Sequence, residues 1–202
     1  MRELTPTRSA YLELREERVS MEEGYRFLDE KRLVLAAEIL RQLESYESIK
    51  EAFTQQYQEA RVALQGAVLR HGLSGLEIYP ASATHWGDMS RKRRSVLGLE
   101  VQEVNLADEE RETVELPVNA SPEATETSEK FAQLISVASS LASIITNLVK
   151  LHDEYQLTSR RARALEDVLL PEIDQALAQI DTALEEMDME EVVRMHYGMH
   201  SS

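Results

Sequence analysis

The chain has 202 residues, of which 29% are charged and 5% aromatic, with five Pro, seven Gly, no Cys and a formal net charge of −15. The lack of Cys excludes a disulfide framework, a thiolate zinc site and a cysteine nucleophile. The acidic balance argues against nucleic acid as a partner, because phosphate binding needs a basic face.

A first long helix is predicted over residues 5–71. Thr5 is a suitable N-cap residue, and Pro6 would then occupy the first helical position. Apolar residues recur at heptad spacing through Leu14, Met21, Leu28 and Leu35, which predicts a helix with one apolar seam. The pair His71-Gly72 is typical of a helix end.

A central insert is predicted over residues 72–120, where Pro and Gly become frequent. Apolar and polar residues alternate partly at period two in Ser95–Leu106 and in Arg111–Pro117. The polar stretch Ala107–Glu110 lies between them. This pattern predicts a β-hairpin with its turn at residues 107–110.

Two features of the insert have alternative interpretations. The run Arg91–Arg94 is the one basic run in an acidic chain. It is either a solvated loop before the hairpin or a contact for an acidic partner. Trp86 is either part of a local core or an anchor for a partner.

A second long helix is predicted over residues 121–195, because Ser121-Pro122-Glu123 is a helix-start signature. Apolar residues then recur at steps of four and three, and Ile145 and Ile173 are two members of this seam. So long a repeat predicts a coiled coil. Pro171 lies within it and predicts a bend rather than a helix end. Residues 196–202 are expected to form a flexible tail.

The fold class that follows is all-α, with one long helix from each end of the sequence and a small insert between them. Two helices of similar length joined by an insert at one end pair antiparallel if they pair within one chain. We therefore predict an antiparallel two-helix coiled coil with a central insert that contains a β-hairpin.

The sequence contains no pattern for catalysis, cofactor binding or metal binding. Neither a phosphate-binding glycine loop nor an H-E-x-x-H pair is present. His196 and His200 have i, i+4 spacing but offer only two ligands, and the tail interpretation is preferred. No secretory h-region opens the chain, and no apolar run approaches the roughly 20 residues of a membrane span. We expect a cytoplasmic protein that is not an enzyme and does not insert into a membrane.

Four segments of the chain resemble the D subunit of V/A-type rotary ATPases. LTPTR at residues 4–8 is similar to the Asn-Pro-Thr-Lys opening of that family, and GYRFLDEKR at 24–32 to its Gly…Leu-Leu-Lys-x-Lys-Arg segment. SVLGLEV at 95–101 and RRARALEDVLLP at 160–171 resemble two further family motifs. The matching positions, expected to be structural or partner contacts, are Pro6, Thr7, Gly24, Lys31, Arg32, Gly98, Arg160, Arg161, Leu165, Glu166 and Pro171.

The resemblance implies a central-stalk rotor subunit without catalytic activity or cofactor of its own. Its implied partners are the catalytic hexamer of A and B subunits, the F subunit and the membrane-rotor adaptor, at the cytoplasmic periphery of the membrane. Arg160, Arg161 and Arg163 are either a solvated strip or a contact for acidic groups of a surrounding protein. The alternative function is a free-standing coiled-coil scaffold or tether unrelated to ATPases.

Overall fold

The computed structural model describes residues 5–77, 79, 89–106 and 121–199, so Trp86 and Arg111–Pro117 lie outside the described residues. In chain order the elements are helix α1 (Arg8–Leu76), strand β1 (Met89–Val96), strand β2 (Leu99–Leu106), helix α2 (Pro122–Ala164), a π-helix (Leu165–Leu169) and helix α3 (Leu170–Met199). The prediction of long helices at both ends of the chain with a hairpin between them is confirmed.

The start of α1 differs from the sequence prediction by two residues. Thr7, not Thr5, is the cap, because its Oγ1 accepts a hydrogen bond of 3.2 Å from the backbone N–H of Ala10. Pro6 therefore precedes the cap instead of filling the first helical position. The threonine side chain satisfies a backbone donor that the first helical turn leaves unpaired.

At the other end of α1, Gly72 departs from helical geometry with φ 67° and ψ 168°. Helical residues continue on both sides of it, and α1 ends at Leu76. The backbone conformation of Gly72 is open almost only to glycine. At the C-terminal end of the chain, α3 continues to Met199, and residues 200–202 lie outside the described residues.

The described hairpin turns inside the stretch Ser95–Leu106, which the sequence analysis assigned to one strand. The run Arg91–Arg94 forms the middle of β1 instead of a loop, and Val96 pairs with Leu99 across the turn. The turn residues Leu97 and Gly98 have φ of 48° and 86°. Positive φ at both central residues matches the tight two-residue turn that suits the twist of paired strands, so these residues make the turn of this hairpin. The turn predicted at residues 107–110 lies outside the described residues.

The described chain forms two compact units, which are Met1–Val34 with Glu154–Ser202 and Leu35–Asp153. In the first unit, Leu14 of α1 packs with Ile173 and Ile180 of α3 as a buried cluster, flanked by Tyr11 and Leu184. Burial of one such aliphatic side chain stabilises a fold by about 1.5–3 kcal/mol. This cluster ties the N-terminal part of α1 to α3.

In the second unit, α1 and α2 also run antiparallel. Lys130 Nζ donates to Glu59 Oε2 at 2.7 Å, and Arg70, later in α1, pairs with Glu123, earlier in α2.

The C-terminal helical stretch Pro122–His196 contains an 18-residue window with a mean hydropathy of 1.6. By length and composition alone, this stretch could cross a membrane. Only 22% of that window is buried in the chain.

The predicted seam of α2 is buried at Leu134 in this unit but has the wrong phase next to the hairpin. Ile145, placed on the seam by its spacing, is 43% exposed, whereas Ser143 and Asn147 are buried. The hairpin causes the difference, because both polar side chains bond to the backbone of Gln102 in β2. A buried polar side chain is favourable where it satisfies a strand edge in this way.

Candidate functional site around the π-helix

The π-helix ends two residues before Pro171, and the proline explains its position. The backbone N–H of Leu170 donates to the carbonyl oxygen of Leu165, five residues earlier. Proline has no N–H to offer and its ring clashes with the carbonyl of residue i−4 in a regular α-helix. The helix therefore passes Pro171 without ending and accommodates it through a wider turn, a feature found often at functional sites.

Two residues of α1 contact the π-helix. Gly24 faces Leu165, whose Cδ1 would lie 3.9 Å from a Cβ built on the glycine. The next residue, Tyr25, lies with its hydroxyl group close to the Glu166 carboxylate. Burial raises the pKa of Tyr25, and the nearby negative charge of Glu166 raises it further, so the phenol stays protonated and acts as a donor.

Three ion pairs fix the alignment of α1 in this unit. Arg8 pairs with Asp188, Arg18 with Asp174 and Lys31 with Glu154, at 3.2, 2.5 and 2.6 Å. The residue number of the acidic partner falls as that of the basic residue in α1 rises, which is the pattern of antiparallel helices. The Lys31–Glu154 pair is the least exposed of the three, with side chains 17% and 24% exposed.

The arginines at the start of the motif at residues 160–171 point outward. Arg160 and Arg161 are exposed, while Ala162 between Arg161 and Arg163 is 1% exposed. Arg160 Nη2 donates to Gln156 Oε1 within the helix at 3.1 Å. These guanidinium groups are thus presented to the surroundings of the unit, where they can meet carboxylates of another protein.

The structure brings together only part of the predicted set. Gly24 and Leu165 meet directly, and Glu166 joins them through Tyr25. Arg32 bonds to Asp29 within α1 at 2.6 Å. Pro6 and Thr7 lie at the start of α1, and Gly98 lies in the hairpin turn of the other unit.

Sequence reasoning missed Tyr25, which contacts Glu166, and two acids that pair across the helices, Glu154 and Asp174. In the sequence the two acids are visible only as charges beside a seam. Charges that flank a coiled-coil seam often pair across it, so the spacing carried a signal for both acids. Which basic residue each would meet depended on the alignment of the helices.

The residues around the π-helix are suited to holding two helices together and to contacting another protein. Among the described residues, no group of three His, Cys, Asp or Glu is arranged to hold a metal ion. The residues around the π-helix supply the contact between half-buried Tyr25 and exposed Glu166, an interhelical ion pair and a set of outward guanidinium groups. Such a set can clamp two helices and recognise an acidic surface.

Known proteins of a single family match nearly the whole length of the chain. The family model described as the ATP synthase D subunit matches residues 10–197. The V-type ATP synthase D subunit of Thermotoga neapolitana is 26% identical over 195 residues, which cover 95% of either chain. The A-type ATP synthase D subunit of Methanobrevibacter smithii is 29% identical over 195 residues, 95% of this chain and 84% of the relative. The chain belongs to the family of ATP synthase D subunits.

Proposed function

We propose that this chain is the central-stalk rotor subunit of a V/A-type ATP synthase or ATPase. It transmits torque between the catalytic hexamer of A and B subunits and the ion-translocating membrane ring. The observation that carries the proposal is the antiparallel pairing of α1 with the C-terminal helices, seen through Arg8–Asp188, Arg18–Asp174 and Lys31–Glu154. Family membership over residues 10–197 supports it.

The pairing suits a torsional load. Twist applied to one helix of a pair reaches the other as shear, and side chains that bridge the helices resist that shear. The apolar cluster of Leu14, Ile173 and Ile180 resists separation of the helices, while the ion pairs oppose sliding. Close packing makes such an element stiff, because interiors have low compressibility and transmit strain.

The partners in this proposal are the catalytic hexamer, the F subunit and the membrane-rotor adaptor. The outward guanidinium groups of Arg160 and Arg161 would face acidic groups of the hexamer. ATP chemistry would occur in the hexamer, and this chain would act without a catalytic site or cofactor. The complex would place it on the cytoplasmic side, peripheral to the membrane.

Rotation of this chain within the complex tests the proposal directly. The chain contains no Cys, so Leu69→Cys, at a side chain that is 89% exposed, introduces a unique attachment point. The complex is assembled with Cys-free partner subunits and immobilised through the catalytic hexamer, and a bead is attached at residue 69. We expect the bead to turn in one direction when ATP is added.

The matched control carries the same bead on one of the catalytic subunits, which should stay still. A bead at residue 69 that remains stationary while ATP hydrolysis continues would contradict the rotor assignment. The scaffold alternative makes a different prediction, namely a stable homodimer of the purified chain that does not assemble with the A and B subunits.

A further inference from the structure

Two polar side chains of helix α2 hold strand β2 by its backbone. Asn147 accepts the backbone N–H of Gln102 on its Oδ1 at 3.0 Å and donates its Nδ2 to the carbonyl oxygen of the same residue at 2.6 Å. Ser143 Oγ donates to that carbonyl at 2.8 Å. Because a backbone group has no rotamers of its own, these bonds fix β2 at one level along α2.

Helix α1 holds the other strand of the hairpin. Arg94 of β1 donates to the carboxylate of Glu38, which is 8% exposed and also accepts hydrogen bonds from Arg41 and Gln42. A carboxylate buried this deeply depends on its donors, because a buried charge without partners is costly. Each strand of the hairpin is thus bonded to a different helix.

The two attachment points lie side by side on the hairpin. Arg94 pairs with Val101 in the antiparallel register, and Val101 directly precedes Gln102. Neighbouring strands lie about 5 Å apart, so the hairpin connects the two helices over a short distance. The ladder of paired residues keeps the attachment points at a fixed separation.

The contact between α1 and α2 is polar at the level of the hairpin. Every buried side chain in residues 36–59 of α1 and 135–150 of α2 is polar, and these side chains belong to Glu38, Gln42, Ser143 and Asn147. Interlocking apolar side chains are what usually opposes sliding of paired helices. At this level the most deeply buried side chains bond to the hairpin or to Glu38 instead.

We propose that the β-hairpin is a brace that fixes the axial alignment of α1 and α2. A slide of one helix along the other by one turn, about 5 Å, would separate Glu38 from Arg94 or Asn147 from Gln102. Either break leaves a buried polar group without its partner, which opposes the slide. A brace needs both attachments, so loss of either one should free the helices as much as loss of both. This inference goes beyond the proposed function and does not depend on it.

Spin labels on the purified full-length chain test the brace. The chain has no Cys, so Val62→Cys in α1 and Val149→Cys in α2, at side chains 62% and 56% exposed, place one label on each helix. The pairing of Glu59 with Lys130 puts the two positions roughly 33 Å apart along the helix axes, so a slide directly changes the distance between the labels. Double electron–electron resonance measures that distance, and we expect one narrow distribution while both attachments are present.

Removal of either attachment should broaden the distance distribution. We expect Arg94→Gln, Asn147→Ala and the double variant each to widen it about twofold and to the same extent, with a second peak displaced by about 5 Å. The Arg94 side chain is 54% exposed, so Arg94→Gln decides alone if Asn147→Ala loses helical content. The matched controls, Arg93→Gln and Thr146→Ala, introduce the same residues at exposed neighbouring positions and should leave the distribution narrow.

The widths distinguish a brace from two separate contacts. A distribution that stays narrow in Arg94→Gln, with helical content unchanged by circular dichroism, would overturn the proposal. Widening in the double variant that equals the sum of the two single effects would show independent contacts and overturn it as well. Equal widening in the control variants would have the same consequence.

Discussion

Gly24 lies opposite Leu165, and a Cβ built on it would stand 3.9 Å from Leu165 Cδ1, an ordinary contact distance. A methyl group therefore fits. Glycine inside a helix is less favourable than alanine by roughly 0.5–1 kcal/mol, so Gly24→Ala should raise the free energy of unfolding by about that amount, measured with urea.

Gly66→Ala is the matched control, because nothing lies within 4 Å of a Cβ there, and it should be stabilising to the same extent. Gly72→Ala should have the opposite sign and cost about 1–3 kcal/mol, because its φ of 67° suits glycine. Loss of stability in Gly24→Ala would show that the helices approach each other more closely at this point than the structure indicates.

Ile173 and Ile145 share the same predicted seam but differ in burial, at 8% and 43% exposed. Ile173→Asp places a charge in the cluster with Leu14 and Ile180, and we expect a loss of more than about 3 kcal/mol. Ile145→Asp should cost less than about 1 kcal/mol. Urea unfolding of the two single variants provides the comparison, and similar losses would contradict the burial pattern. Under the proposed rotor role, Ile173→Asp alone should prevent assembly of the ATPase or uncouple its ATP hydrolysis from ion pumping.

Glu38 links α1 to the hairpin and is 8% exposed. Burial acts to raise the pKa of Glu38, but hydrogen bonds from Arg41 and Gln42 and the charges of Arg41 and Arg94 outweigh it, and the pKa lies below its ordinary 4.5. A lowered folded pKa stabilises the fold fully above the unfolded pKa, and this contribution disappears as pH falls through the folded value.

Glu38→Gln should therefore cost about 1–2 kcal/mol at pH 7, since the exposed Arg41 and Arg94 can be solvated after the loss. The difference from wild type should shrink as the pH falls below 4.5. Unfolding in urea at pH 7 and at stepwise lower pH measures both values. Glu47→Gln, at an exposed position of the same helix, is the control and should have little effect at any pH. A cost for Glu38→Gln that does not depend on pH would refute the electrostatic explanation.

Asn147 is 2% exposed and bonds to both backbone groups of Gln102. Asn147→Ala leaves the half-buried N–H of Gln102 without its acceptor, at a cost of about 1–3 kcal/mol. Hydrogen exchange at the Gln102 amide should become at least tenfold faster. Ser143→Ala removes a donor to the carbonyl only, so it should destabilise the chain less and leave this amide slow. Unchanged exchange in Asn147→Ala would mean that α2 does not protect the strand.

Patterns that depend on neighbouring residues were predicted well. Two such patterns depend only on nearby residues: the heptad spacing from Leu14 to Leu35 and the helix start at Ser121-Pro122-Glu123. The first lies in α1, and the second lies at the start of α2. The hairpin was harder, because its strands were assigned from alternation alone. A run such as Arg91–Arg94 does not resemble a strand by composition, and it forms one because Leu97 and Gly98 supply the turn.

Local residue patterns predicted two long helices and a hairpin between them, because helix periodicity and glycine positions reflect short-range preferences, and matching motifs carried the family resemblance. The inward face of α2 could not be predicted in the same way: Asn147 is buried whereas Ile145 is exposed, and the contact of Tyr25 with Glu166 depends on how the helices align. A helical repeat defines a stripe only to within about one residue, and the bonding needs of the element packed against it choose the phase.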